Sequence, residues 1–226
     1  MKKIILVAFL MLSQVNFAQE KLTKNLGDFD QVKVFDRISV QLVPANENKI
    51  EITGNRRDDV EIVNKNGELK VRMKLKKLLK GEDITAIIYF KNEIETIEAS
   101  EGSYVSSEKT FKAIDFHVNS KEGAEIKINL DVKKLDVKAT SGGIVRLKGN
   151  ANSQDIVINS GGIVDAKDLE TSQTSVAVNA GGEADVRASE LVDAKTRAGG
   201  DITIYGSPKK INKKTFAGGN ITESKR

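Results

Sequence analysis

Seven glycines recur at a nearly constant pitch from residue 102 onward, and this recurrence restricts the fold more than any other feature. They stand at Gly102, Gly123, Gly142, Gly161, Gly181, Gly199 and Gly218, in steps of 21, 19, 19, 20, 18 and 19 residues. The last five open glycine pairs: Gly142 and Gly143, Gly161 and Gly162, Gly181 and Gly182, Gly199 and Gly200, Gly218 and Gly219. Three residues beyond each first glycine comes an apolar side chain: Val105, Ile126, Val145, Val164, Ala184, Ile202 and Ile221. Five residues beyond stand Ile128, Leu147, Ala166, Val186 and Ile204, with the polar Lys127, Arg146, Asp165, Asp185 and Thr203 in between. Alternation with period two marks strands with one face in a core and the other in water.

A unit of about 19 residues holding two short strands and a glycine turn cannot bury its own apolar face, so it must stack on copies of itself. The prediction is an all-β fold, a right-handed parallel β-helix or β-solenoid. Glycine accepts positive φ cheaply, which allows a sharp turn at the same corner of every coil. The small residue before each pair (Ser141, Ser160, Ala180, Ala198, Ala217) is expected to line a tightly stacked column. A set of ordinary hairpins would account for the glycines but not for the pitch. The column of Val176 and Ala194 ends at Lys213, so the last coil is expected to be a polar cap against edge-to-edge pairing.

Three segments follow: 1–18 as a signal peptide, 19–96 as an irregular β portion, and 97–226 as the regular solenoid. The first has Lys2 and Lys3, an apolar run over residues 4–12 and a small residue at Ala18, the layout of a secretory signal cleaved after Ala18. Loss of the two lysines lowers the formal net charge from +4 to +2, which does not suit a nucleic-acid surface. With no cysteine there is neither a disulfide nor a site for N-terminal acylation. No later stretch approaches the roughly 20 apolar residues of a membrane-spanning helix. The expected location is the periplasm, the outer surface or the medium. Before residue 97, alternating runs such as DQVKVFDRISVQLVP and GELKVRMKL predict either wider coils of the same solenoid or a small sandwich at its end. The basic KLKKLLKG, residues 74–81, is too short for a membrane-binding helix and reads as a solvated strand end with a turn.

The signal peptide, the opening FDQVKVFDRISVQLVPANENKIEITGN and the serial SGG and AGG coils resemble the head GIN domain proteins, also called auto-transporter adhesins and common in Bacteroidetes. The resemblance covers about residues 26–222. It implies an exported β-helix-like adhesin or cell-envelope binding module, and it supplies no catalytic or binding residues. An autotransporter proper ends in a lipid-facing barrel, for which no strands remain before Arg226.

Chemistry-bearing residues are sparse. His117 is the single histidine, and Phe116 and Val118 on either side turn it outward on a strand. A Cys–His pair and the usual zinc sites are thereby excluded. GGIVDAKD offers Gly161, Gly162 and Asp165 toward a calcium-binding repeat, but the aspartate does not recur in every coil. The glycine pairs precede strands rather than helices, so they form no phosphate cradle. In-register stacking would place Lys127, Arg146, Asp165, Asp185 and Thr203 in one outward column, with Glu183 and Asp201 in the next column below Ile144 and Ile163. Lys127, Arg146, Asp165, Asp185, Glu183 and Asp201 are the candidate ligand contacts, with no catalytic residue, metal or cofactor. The expected function is a non-enzymatic binding or adhesion module, with glycans or envelope components as partners. The alternatives are a polysaccharide lyase or hydrolase using Asp165, Asp185 and nearby Arg146 or Lys127, and an envelope protein whose solenoids stack end to end.

Overall fold

Period-two alternation becomes stacked parallel pairing in a computed structural model that describes residues 21–224. The signal-peptide reading lies outside the described residues. The strands are β1 (Leu22–Asn25), β2 (Gln31–Val34), β3 (Ser39–Pro44), β4 (Lys49–Thr53), β5 (Val60–Lys65), β6 (Glu68–Met73), β7 (Thr85–Phe90), β8 (Thr96–Ala99), β9 (Tyr104–Lys121), β10 (Glu125–Thr140), β11 (Ile144–Asn159), β12 (Ile163–Asn179), β13 (Glu183–Arg187), β14 (Leu191–Arg197), β15 (Asp201–Tyr205), β16 (Lys210–Phe216) and β17 (Asn220–Glu223). They form a β-solenoid of about seven turns of roughly 19 residues.

Two short strands per coil are expected, yet β9 to β12 each run unbroken for 16 to 18 residues between glycine corners. The second corner holds no glycine in β10. In β10 the alternation slips where Lys133 and Lys134 both face water, and the strand resumes with Leu135 inward. Only later do the two limbs separate, into β13 with β14 and β15 with β16.

The glycine corner is a type I′ turn over residues 140–143. The N–H of Gly143 donates to the carbonyl of Thr140 at 2.9 Å, while Ser141 and Gly142 take φ of 51° and 74°. Gly143 is needed for a different reason: a Cβ there would lie 2.2 Å from the carbonyl oxygen of Ser120 in the coil before. The crowded column is therefore that of the second glycine. The preceding small residues, Ser141, Ser160 and Ala180, are exposed, and Glu101 and Glu122 hold the same place in earlier coils. Corner bonds to corner, as Gly123 N–H donates to Ser141 and Gly142 N–H to Ser160.

Inside, Val145, Val164, Ala184 and Ile202 stack rung on rung and are buried. Each large aliphatic side chain so buried contributes about 1.5–3 kcal/mol. Phe111 stacks between Phe90 and Phe116, with centroids 5.8 and 5.6 Å away.

Before residue 97 the sheet is continuous with the solenoid. β2 lies between β6 and β8, and β3 between β7 and β9, all parallel. The coil made of β2 and β3 thus sits between a later coil, β6 with β7, and the one that β8 begins. Antiparallel strands finish that end: β4 on β7, β1 on β4 and β5 on β6. Residues 35–38 repeat the type I′ corner with Asp36 and Arg37 at φ 61° and 64°. Residues 74–81 form a wide corner with one short helical turn, Leu75–Lys77. At the other end the register puts Lys213 under Ala194 and Glu223 under Ile204, on the core face. There the Lys213 ammonium meets the Glu223 carboxylate at 2.6 Å.

Candidate functional site

Strand register alone assembles the expected column. Lys127 pairs with Arg146, Arg146 with Asp165, Asp165 with Asp185 and Asp185 with Thr203. Directly paired residues of parallel strands share a face about 4.8 Å apart, so each rung adds one outward side chain. Ile144, Ile163, Glu183 and Asp201 form the neighbouring column, where Asn220 donates to Asp201 at 2.7 Å.

The steps of 21 and 20 residues, the two longest, become bulges in this limb. Lys127 and Asn129 of β10 face Ser106 and Thr110 of β9, so β9 carries two extra residues. Arg146 and Lys148 of β11 face Asp165 and Asp168 of β12, which carries one. An extra residue kinks its strand and re-aims neighbouring side chains. Between the two bulges lies an open trough of about 390 Å³ that crosses four coils. Its polar lining includes Lys127, Arg146 and Asp165 from the expected column, joined by Lys148, Lys167 and Asp168. Asp185, Glu183 and Asp201 lie outside it. Lys148 and Lys167 keep the alternation, each two residues beyond Arg146 and Asp165, and Asp168 alone is out of phase, being next to Lys167 and also outward at the bulge. The one available signal is the step of 20.

Arg146 is held from both sides. Its Nε–H donates to Glu125 at 2.9 Å, and an Nη1 stands 3.7 Å from Asp165. Asp165 also accepts from Lys167 at 3.2 Å, and Lys148 meets Asp168 at 3.4 Å. The repulsion expected between Asp165 and Asp185 is thus relieved by two cations. The Lys167 ammonium is held above its ordinary pKa by its bond to Asp165, then by the charges of Asp165, Asp185 and Asp168. Lys127 forms no ion pair with any described residue and projects into the trough. Exposed pairs of this kind stabilise the fold by less than about 1 kcal/mol each, so their value is in orienting side chains.

His117 does face outward, on the other limb, with Nδ1 3.1 Å from Asp136. Among the described residues no three His, Cys, Asp or Glu side chains converge on a point where a metal ion could be held. No described helix is long and apolar enough to cross a membrane.

Three solved structures share the architecture. A "putative adhesin" from Bacteroides fragilis superposes with a TM-score of 0.81 at 20% identity, over 92% of this chain and 98% of that one. A "putative adhesin" from Parabacteroides distasonis gives 0.69 at 21% identity, over 91% and 96%. A "putative lipid binding protein" from the same species gives 0.69 at 16%, again over 91% and 96%. These likenesses show the fold, and a fold does not by itself specify a ligand. No curated protein matches the chain. The sequence model of one family matches residues 28–208, most of the chain. The chain belongs to the family described as "putative auto-transporter adhesin, head GIN domain".

Proposed function

We propose that this protein is an exported, non-enzymatic adhesion module that binds a polymeric partner along the outer face of its coils. The observation that supports this most is the trough between the two bulges, where four rungs present cations and carboxylates at a fixed spacing. The coil spacing makes it about 14 Å from first rung to fourth. A linear glycan or envelope polymer lying across the rungs would meet Lys127 first, since that ammonium has no carboxylate partner. Arg146, Asp165 and Lys167 would then offer donors and acceptors in fixed orientations. Asp185, Glu183 and Asp201 extend the polar face past the trough for a longer ligand. Shallow contacts of this type gain affinity through repetition along one polymer.

The supporting comparisons are the family match and the adhesin names carried by structural neighbours. The test is binding of the protein starting at Gln19 to purified surface polysaccharides and to isolated cell-envelope fragments. A bound ligand should lose at least about tenfold in affinity to Lys127→Glu with Arg146→Glu, the size of a lost charge-assisted contact. Asp165→Asn with Asp185→Asn should leave all polysaccharides uncleaved, as the wild type does. Turnover by the wild type that these two changes abolish would instead establish the lyase or hydrolase reading. Binding that ignores the charge reversals would remove the trough from the function.

A further inference from the structure

Residues 74–81 present a different surface from the rest of the molecule. Leu75, Leu78 and Leu79 are 76%, 48% and 45% exposed, three large apolar side chains within five residues. The other exposed large apolar residues among those described, Ile114 and Phe216, stand alone. Interleaved with the leucines are Lys74, Lys76, Lys77 and Lys80. Lys74 reaches the carbonyl of Asp58 at 2.6 Å, whereas Lys76, Lys77 and Lys80 form no ion pair with a described residue.

The loop is held open by design of its base. The buried carboxylate of Asp36 accepts the N–H of Met73 at 2.9 Å and that of Leu79 at 2.8 Å, so one side chain ties the two ends together. The N–H of Gly81 donates to the Asp36 carbonyl at 3.0 Å, and a Cβ on Gly81 would lie 2.3 Å from that oxygen. Arg56 adds a bond to the carbonyl of Lys80 at 3.2 Å. Such anchoring fixes a corner whose three leucines leave nearly half or more of their surface in water. Water is a poor solvent for them, and a hydrated glycan would be no better.

We infer that this loop docks on an anionic lipid bilayer, with Leu75 and Leu78 entering the interface and Lys76, Lys77 and Lys80 meeting headgroup phosphates. Apolar side chains ringed by unpaired ammonium groups match the two layers of such a surface, acyl boundary below and negative charge above. Glu82 and Asp83 follow at the base of the loop, on the side away from its leucine tip in sequence. The site is separate from the trough, so either can fail without the other.

The test uses protein beginning at Gln19, because the apolar residues 4–12 would themselves bind lipid. Vesicles of phosphatidylcholine, with and without phosphatidylglycerol, are floated with it at low and high salt. Binding is expected to the anionic vesicles at low salt. It should fall at least about tenfold in Leu75→Ser/Leu78→Ser and roughly a hundredfold in Lys76→Gln/Lys77→Gln/Lys80→Gln, at about one kcal/mol per lysine. Neither variant touches the Asp36 bonds, so their melting temperatures should equal the wild type's. The chain has no tryptophan, so Leu75→Trp gives one reporter whose emission should shift to the blue on vesicles. No binding at low salt, equal binding to neutral vesicles, an unshifted emission or an unaffected serine variant would each overturn the inference.

Discussion

Gly142 and Gly143 are adjacent, and the backbone requires glycine at each for a separate reason. Gly142 has open space around it but a left-handed φ of 74°. Alanine there should cost about 1–2 kcal/mol, and asparagine less, because its side chain tolerates that region. Gly143 has an ordinary φ but no room beside Ser120, so alanine should cost more than about 2 kcal/mol. Urea midpoints of the three single variants check the order, with Gly143→Ala the least stable. The sequence displays both glycines equally and cannot separate the causes, because the second one depends on a neighbouring coil. Arg37 shows the converse: it takes the left-handed place that glycine fills in later coils, so the corner at residues 35–38 is invisible to a search for glycines. Stacked directly beside that corner, Glu101 has its pKa raised, first by burial, then by the Asp36 carboxylate and by Glu122. A carboxyl raised in the folded state favours folding while protonated, and that contribution is lost as pH rises from the ordinary Glu value through the folded one. Glu101→Gln keeps a donor toward Asp36 at every pH. Thermal melts should show it more stable than wild type at pH 7 by about 0.5 kcal/mol, with the difference vanishing below the unperturbed value of 4.5.

At the scale of the coil, the pitch of the glycines revealed the stacking, and departures from that pitch held more information than the pitch itself. The longest steps became the bulges on β9 and β12, and those bulges frame the trough. Alternation located Lys127, Arg146 and Asp165 correctly, because they lie before the register shift. Lys148 and Lys167 are the next outward positions of the same alternation, whereas Asp168 is hidden from it, because an inserted residue reverses which side chains face out. The order of coils before residue 97 was not legible at all. β2 pairs with β6 and β8, from 37 and 65 residues further along, and local patterning cannot choose among strands of similar composition. The last described coil ends its core with an ion pair, Lys213 to Glu223, on the inward columns. Inward charge discourages another sheet from adding to an open edge. Lys213→Val with Glu223→Val should therefore convert a species of constant mass into concentration-dependent assemblies, as light scattering after size exclusion would show. Unchanged mass would mean that some other feature protects the edge.

For the whole molecule, a stack of coils gives stability that spreads from neighbour to neighbour and a surface whose chemistry repeats along one axis. The trough and the leucine loop both depend on that rigid spacing, the trough through register and the loop through Asp36. Register can be measured directly because the chain has no cysteine, so two introduced cysteines can be spin-labelled without background. Ser106 and Thr222 lie in one outward file, connected by six successive pairings through Lys127, Arg146, Asp165, Asp185 and Thr203. At about 4.8 Å per rung, dipolar spectroscopy should give one narrow distance near 29 Å for labels at Ser106 and Thr222, and near 24 Å for Lys127 and Thr222. A broad distribution, or two distances that do not differ by one rung, would contradict in-register stacking.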